Sequence, residues 1–261
     1  MLIAHPGHEL RVHRWLELAR PIVFVLTRGD GRGGRSRIES TRRVLESTGA
    51  HMGPIFGRFA DREIYDALLA GAHAGFVQVL DELAAALIAL DIDCLAADAE
   101  EGYNPAHDIC RYLSEAATAM AARAAGRPLA DFEFPLMARP DEWSAKAPAD
   151  AIRLELDEAA LERKLACAQA YAEIREEVGQ ALARHGADAF RVECLTRAAP
   201  SAGPPSPVFY ERIGADRVAA GHYVEAVSYA RHVAPLRSAL RRRAADAFPD
   251  AAAAALSAFG I

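Results

Sequence analysis

Short apolar runs alternate along this chain with longer segments of helical periodicity, which leaves few folds open to it. Apolar runs of strand length lie at residues 2–5, 22–27 and 92–98. Segments whose apolar residues recur at helical spacing separate them, at 9–19, 36–48, 61–90 and 106–125. Strands that alternate with helices form a parallel sheet covered by helices on both faces. The sequence therefore predicts an α/β fold, a Rossmann-like three-layer α/β/α sandwich with a mostly parallel sheet.

The second half of the chain continues this pattern less regularly. Residues 132–148 are rich in proline and aromatic residues, which predicts an irregular segment. Strands are predicted at 151–156 and 190–196, on either side of a long helix at 157–185. The run APSAGPPSP at 199–207 is the only linker-like segment. We therefore predict an α/β domain over residues 1–198, followed by a linker and a helical C-terminal extension over 199–261 that packs on it.

Composition excludes several classes of protein. The chain has 261 residues, of which 52% are hydrophobic and 25% charged, as in ordinary globular proteins. A net charge of -6 argues against a dedicated nucleic-acid binder, and no apolar run is long enough to span a membrane. The start of the chain does not resemble a secretory leader, and its four cysteines form no CxxC pair. We expect a cytoplasmic protein and leave open whether it forms a homo-oligomer.

Three histidines follow predicted strands at the edge where parallel sheets bind ligands. His5 and His8 lie three residues apart after the first strand, and His107 begins the helix after the third. Two neighbouring histidines and one distant histidine are the ligand set of a catalytic zinc, which keeps a fourth position open. The alternative is that His8 and His107 are surface histidines at helix starts and His5 is a buried histidine with its own hydrogen bonds.

A glycine-rich loop follows the second strand. Residues 29–34, GDGRGG, match the pattern GxGxxG of dinucleotide-binding loops. The loop follows the second strand instead of the first, and no acidic residue closes a strand about 20 residues later, so a dehydrogenase ranks third. Four arginines surround these glycines, and they form either an anion-binding site or a solvated loop: Arg28, Arg32, Arg35 and Arg37.

Several segments resemble the LmbE-like, or PIG-L, deacetylase family. They are AHPGHE at 4–9, TRGDG at 27–31, Arg37 before a helix that ends in glycine, EGYNPAHD at 101–108, and the tail YERIGADRVAAGHYVEAVSYARHVAP. Members of that family are metal-dependent N-deacetylases of N-acetylated amino sugars and their conjugates, built on a Rossmann-like sheet. The resemblance implies zinc or another divalent transition metal, and a small-molecule substrate, an amino-sugar conjugate.

The resemblance also assigns roles to individual positions. Two zinc-binding histidines of the family fall on His5 and His107, and its zinc-binding aspartate falls on His8. The family's supporting glutamate falls on Glu9, and its substrate-contacting arginine on Arg37. Asp30, which follows the second strand, is expected to join Arg37 in binding the substrate.

Two catalytic positions depart from the family pattern. The aspartate that takes a proton from water falls on Gly7, and the leading histidine of the second motif falls on Asn104. Asn104 can donate a hydrogen bond to an oxyanion but has no proton to transfer. Candidates for a replacement acid are Glu9, Asp30, Asp98, Glu101, Asp108, His222 and His232. Restoring the carboxylate through Gly7→Asp is expected to place it beside the metal.

Histidine in place of a carboxylate ligand makes the site one charge more positive, so a bound zinc is a stronger Lewis acid, with a water pKa of about 7. The leading hypothesis is a zinc-dependent hydrolase whose metal is held by His5, His8 and His107, with Asn104 and Glu9 as catalytic residues. The alternative is a repurposed, non-hydrolytic relative that binds a sugar-type ligand in the same pocket.

Overall fold

The alternating strands and helices form one seven-stranded sheet in the computed structural model, which describes residues 1–31 and 34–247. The strands are β1 (Leu2–Ile3), β2 (Ile22–Thr27), β3 (His51–Phe59), β4 (Cys94–Asp98), β5 (Ala130–Phe134), β6 (Ile152–Glu155) and β7 (Val192–Arg197). Their order across the sheet is β3-β2-β1-β4-β5-β7-β6. The first five strands are mutually parallel, and β7 is antiparallel to both β5 and β6.

Helices connect the strands and cover the sheet. Those of the first half are α1 (His13–Ala19), α2 (Ile38–Thr48), α3 (Asp61–Leu69), α4 (Ala74–Ala89) and α5 (Pro105–Ala125). The remaining described helices are α6 (Pro140–Lys146), α7 (Glu158–Ala170), α8 (Arg175–His185), α9 (Phe209–Ala219) and α10 (Ala234–Asp246).

Alternate residues of the central strands supply two separate cores. Leu2 of β1 belongs to a core shared with α3, α4, α5 and α10, whereas its neighbour Ile3 belongs to a core shared with α1 and α2. Phe24 and Val25 of β2 divide in the same way, as the two-residue period of a strand requires. The three-layer α/β/α architecture predicted from the alternation is confirmed.

Two strands were not predicted. β3 contains Gly53, Pro54 and Gly57, residues that usually break strands, and it is tolerated because it lies at the sheet edge and pairs with β2 through register shifts. β5 begins before the segment predicted to be irregular and includes Phe132 and Phe134, and α6 lies inside that segment, so the prediction is wrong at 132–134 and at 140–146. Four residues of β5 alternate between acidic and aromatic, which was the available signal for this strand.

Two predicted long helices are each broken into two. The segment 61–90 is interrupted between α3 and α4, where Gly71 has a φ of +62° that ends the first helix. The segment 157–185 is interrupted at Tyr171, which follows α7 and has an extended backbone. A short 3₁₀ turn at Ala172–Ile174 comes next. In both cases helical periodicity continues through the break, so the pattern alone did not reveal it.

The C-terminal extension packs on the helices of one face of the sheet. Leu236 and Leu240 of α10 are fully buried in the core that also contains Phe76 of α4 and Tyr112 of α5. Arg237 is buried beside them, with its guanidinium 5.3 Å from the centroid of the Tyr112 ring. The residues after 247 lie outside the described part of the chain. Within that part, the extension shares the core of the α/β layers.

The strand order positions the candidate site. The chain runs outward from β1 to β3 in one direction and from β4 to β5 in the other, so the order reverses between β1 and β4. In open α/β sheets this reversal leaves a crevice at the carboxyl ends of the strands. His5 and His8 follow β1, and Asp98 ends β4.

Two further findings concern the cysteines and the helices. All four cysteines are free. Among the residues described, no helix combines the length and the apolar character needed to cross a bilayer.

Leu240→Ala is expected to lower the free energy of unfolding by about 2–5 kcal/mol, because it leaves a cavity in a core shared by the extension and the sheet layers. Leu18→Ala is the matched control, since Leu18 is 56% exposed, and it should change stability by less than about 0.5 kcal/mol. Urea denaturation followed by circular dichroism measures both. Equal midpoints for the two variants would show that the extension does not contribute to the cooperative core.

Candidate functional site

A tight turn after β1 carries the first two histidines. Gly7 has a φ of +105°, in the left-handed region that favours glycine, and it lets the chain pass directly from the strand into a 3₁₀ turn at His8–Val12. The turn is closed by the N–H of His8, which donates to the carbonyl of His5 at 3.3 Å. The two imidazoles therefore leave the same turn, and their ring centroids lie 5.2 Å apart.

Each of these imidazoles is held through its Nδ1 atom. The Nδ1 of His5 lies 2.7 Å from Oγ1 of Thr27 and 3.2 Å from Oδ1 of Asp61. The Nδ1 of His8 lies 2.8 Å from Oδ2 of Asp98. An ionised carboxylate can only accept, so both Nδ1 atoms donate, and a neutral imidazole held in this way keeps its lone pair on Nε2. A histidine held in this way is the usual arrangement of a metal ligand with a supporting carboxylate.

His107 completes a cluster of three imidazoles, which we call the histidine cluster (His5, His8 and His107). Its ring centroid lies 5.2 Å from that of His5 and 4.6 Å from that of His8. Burial, together with the neighbouring imidazoles, lowers the pKa of His107 well below its usual value, and burial does the same for His8. The Nδ1 atom of His107 is buried and has no hydrogen-bond partner.

The spacing of the rings agrees with a shared metal, but the described side chains as they stand do not form a metal site. Three imidazoles bound to one tetrahedral zinc at about 2.0 Å would have ring centroids about 5 Å apart, close to the observed separations. As the side chains stand, however, the described residues contain no group of three or more His, Cys, Asp or Glu that could hold a metal ion. The rings of His5 and His8 are fixed by their hydrogen bonds, whereas His107 has none at Nδ1.

Asn104 begins α5 and lies beside the histidine cluster. Its Oδ1 accepts a hydrogen bond from the backbone N–H of Ala106 at 2.9 Å, so the side chain caps the helix. Its Nδ2 lies 3.5 Å from Nε2 of His5. The amide thus has its acceptor occupied and its donor directed towards the cluster, as a group that stabilises an oxyanion requires.

Glu9 lies under the turn. It is fully buried, and its two carboxylate oxygens accept hydrogen bonds from the N–H of Gly7 at 2.7 Å and from the hydroxyl of Thr41 at 2.8 Å. Burial raises its pKa to about 7, although both hydrogen bonds act in the opposite direction. These contacts make Glu9 a residue that positions the turn of the two histidines.

Arg37 and Asp30 flank the cluster on the side of β2. The charge of Arg37 is among the causes that lower the pKa of His8, after burial and His5. Asp30 accepts a hydrogen bond from the N–H of Asp61 at 2.8 Å and so anchors the start of α3. Of the arginine group, Arg28 donates to the carbonyl of Gly57 at 3.4 Å, and Arg35 is exposed.

The remaining residue of that group, Arg32, lies with Gly33 outside the described residues. The structure therefore describes only part of the GxGxxG loop.

The other candidates for a general acid are engaged in structural contacts. Asp98 is fully buried, and burial raises its pKa to about 7. Glu101 accepts from the N–H groups of three consecutive residues, Leu136, Met137 and Ala138. Asp108 accepts from the N–H groups of Glu101 and Gly102.

The two histidines of the extension complete this set of candidates. His222 is exposed, and Nδ1 of the buried His232 accepts from the N–H of Ser228 at 2.8 Å. Neither residue has a contact with the histidine cluster among those that the described residues show.

Three residues near the cluster were missed in the sequence. Asp61 contacts His5, and the hydrogen bond and charge of His5 hold its pKa below the usual range despite burial. The hydroxyl of Tyr65 lies 3.5 Å from Oδ1 of Asn104, and the ring centroid of Tyr103 lies 6.3 Å from that of His107. An acidic residue at a helix start was the signal for Asp61, but nothing in the sequence pairs it with His5.

The geometry at Gly7 leaves little room for the aspartate that was expected to stand beside a metal. A Cβ atom at position 7 would lie 3.1 Å from Cδ1 of Ile174 and 3.8 Å from Cζ of Tyr171. The Cβ atom would therefore face this apolar wall.

Gly7→Asp is expected to lower the free energy of unfolding by about 1–3 kcal/mol, because it forces a left-handed conformation and a close contact with Ile174. Gly126→Asp is the control. Gly126 also has a positive φ, of +64°, but a Cβ there meets no atom within 4 Å. Thermal unfolding of both variants measures the difference, and an equal loss in the two would show that the wall behind Gly7 yields.

Comparison with known proteins supports the fold. The chain is similar to the crystal structure of the conserved protein TT1542 from Thermus thermophilus, with a TM-score of 0.51 and 22% sequence identity. The match covers 78% of this chain and 96% of that one. No protein-family model matches the sequence, and no curated protein is significantly similar to it. At this identity the structural likeness shows a shared α/β fold.

Proposed function

We propose that this protein is a metal-dependent hydrolase similar to the LmbE-like deacetylases. The observation that carries the proposal is the histidine cluster at the sheet crevice, with its rings 4.6–5.2 Å apart. Two of its imidazoles are held by carboxylates, and the third has a buried, unpaired Nδ1. Neutral imidazoles suit zinc, copper or nickel better than magnesium or calcium.

His5, His8 and His107 would hold the metal. A zinc ion bound there supplies Lewis-acid polarisation of an acyl carbonyl and an acidified water. Residues of the chain supply the other functions. Asp98 and Asp61 hold His8 and His5 in the tautomer that is protonated at Nδ1, and Asn104 donates from Nδ2 to an oxyanion. Arg37 contributes a positive charge for an anionic part of the substrate. An N-acylated amino sugar or a related small conjugate is the substrate class that the family resemblance suggests.

A second candidate function is a repurposed pocket that binds a sugar-type ligand without hydrolysis. Gly7 has no base to offer, and Glu9, Asp98, Asp61 and Asp30 are all engaged in hydrogen bonds. Exposed aromatic surface lies next to the cluster, where Tyr103 stacks on Phe209 with ring centroids 4.7 Å apart. Such a surface suits the apolar face of a sugar ring without requiring a reaction.

Purified protein is expected to bind one zinc ion per chain, and His107→Ala should weaken that binding by more than about a hundredfold, since even loss of a supporting group costs about 10–100-fold. His51→Ala is the control, because His51 is exposed at the start of β3 and should leave affinity unchanged. Competition with a chromogenic chelator measures the affinity. Wild-type protein that takes up no zinc when metal is in excess would contradict the metal site.

Amine release by the wild-type protein separates the two candidate functions, and Asn104→Asp tests the donor that Asn104 provides. Aspartate caps a helix as well as asparagine does, so the unfolding midpoint should stay the same, whereas the donor towards the oxyanion is lost. We expect zinc-loaded wild-type protein to release free amine from N-acetylated amino sugars. We expect this variant to be slower by about 10²–10³-fold.

Fluorescamine detection of the released amine provides the assay for both proteins. The absence of amine from a panel of N-acylated sugars, with zinc bound and the same sugars binding reversibly, would overturn the hydrolase and favour the repurposed pocket.

A further inference from the structure

A second cavity lies between α1, α2 and α7, apart from the histidine cluster. Its volume is about 430 Å³, within the range of roughly 300–1,000 Å³ that small-molecule sites occupy. His13 and Glu17 line it from α1, Arg43 from α2, and Ala166 and Cys167 from α7. Tyr171 closes it on the side of Gly7, which lies behind the tyrosine ring. None of the residues assigned to the metal or to the oxyanion lines this cavity.

The inner wall of the cavity contains an imidazole without a hydrogen-bond partner. His13 is only 3% exposed, and its Nδ1 is buried and unpaired. A buried polar atom without a partner costs about 1–3 kcal/mol. Burial lowers the pKa of His13, although the nearby carboxylates of Glu17 and Glu193 act in the opposite direction. Because His13 is neutral, it adds no positive charge to this wall of the cavity.

The rim of the cavity carries two arginines and one carboxylate, Arg43, Arg163 and Glu17. The carboxylate of Glu17 is neutralised by Arg14 at 2.7 Å and by Arg163 at 2.8 Å and 3.0 Å. Arg43 donates to the hydroxyl of Ser40 at 2.8 Å and forms no ion pair within 4 Å among the described residues.

Glu173 is the neighbouring acid and accepts the hydroxyl proton of Ser40. This hydrogen bond and, more weakly, the charge of Arg43 lower the pKa of Glu173 against the effect of its burial. Glu173 thus offsets part of the charge of Arg43, but the two form no ion pair within 4 Å in the described structure.

We propose that this cavity binds a compact molecule with an apolar body and one carboxylate group. The carboxylate pairs with Arg43, whose planar guanidinium suits bidentate recognition of that group. The apolar body lies on Val44, Ala166 and the ring of Tyr171. One free guanidinium among apolar walls fits a monocarboxylate better than a phosphate, which carries more charge and needs more donors.

Octanoate is the probe, titrated into the full chain and followed by isothermal titration calorimetry. We expect saturable binding of one octanoate per chain, and Arg43→Gln should weaken it by about tenfold or more because a charged hydrogen bond is lost. Arg42→Gln is the control, since Arg42 pairs with Glu39 at 3.3 Å and does not line the cavity. Octylamine, with the opposite charge, should not bind.

A second pair of variants tests the position of the site. Ala166→Trp fills the cavity from α7 and should abolish binding, whereas Ala159→Trp, at an exposed position of the same helix, should retain it. Both positions are exposed, so both variants should fold, which circular dichroism checks. Octanoate that binds Ala166→Trp as well as wild type, or no saturable binding at all, would overturn the proposal. The titration is made with and without a chelator, so its result does not depend on the metal site.

Discussion

The carboxylate of Asp98 connects the two halves of the sheet and also positions the candidate site. Its Oδ2 accepts from the N–H of Ala4 at 2.8 Å and from Nδ1 of His8 at 2.8 Å. These bonds join the end of β4 to the end of β1, the two parallel strands between which the strand order reverses. The carboxylate is fully buried, and burial raises its pKa to about 7, whereas the hydrogen bond from the N–H of Ala4 acts in the opposite direction. Sheet closure and the orientation of His8 thus rest on the same group.

A second buried carboxylate, that of Glu193, also joins separate elements of the fold. Glu193 of β7 accepts from the N–H groups of Arg14 and Trp15 at 2.8 Å and 2.9 Å, at the start of α1, and from Nζ of Lys164 at 2.9 Å. Lys164 also donates to the carbonyl of Arg11 at 3.0 Å. Removing one partner of such a buried pair typically costs about 3–5 kcal/mol. The pair fixes α1 and α7, which form two walls of the second cavity.

The reactions that the histidine cluster can support depend on the hydrogen bonds that the neighbouring side chains already make. The described carboxylates near it accept hydrogen bonds from imidazoles, backbone N–H groups or the starts of helices, although Oδ1 of Asp98 is buried without a partner. A metal held by three neutral imidazoles would rely on its own charge to acidify a water, and Asn104 would supply a hydrogen-bond donor without a transferable proton. This separates the candidate from enzymes in which a carboxylate beside the metal takes the proton. The Nδ1 atom of His107 is buried and is the position at which the cluster lacks a hydrogen bond.

The sequence by itself determined the α/β class, most strands of the sheet, and the grouping of His5, His8 and His107. Hydrophobic periodicity reports which residues face a core, and the carboxyl ends of parallel strands necessarily meet at one edge. Hydrophobic periodicity could not reveal β3, whose glycines and proline are tolerated only because the strand lies at the sheet edge. It also could not reveal the breaks at Gly71 and Tyr171.

Only the tertiary structure decided what each site residue contacts. Asp61 contacts His5, which lies 56 residues away in the sequence. Glu9 accepts a hydrogen bond from the hydroxyl of Thr41, and a Cβ atom at position 7 would face Ile174. The second cavity arises where α1, α2 and α7 leave a gap. Contacts of this kind depend on how separate elements pack, and no local pattern of residues encodes them.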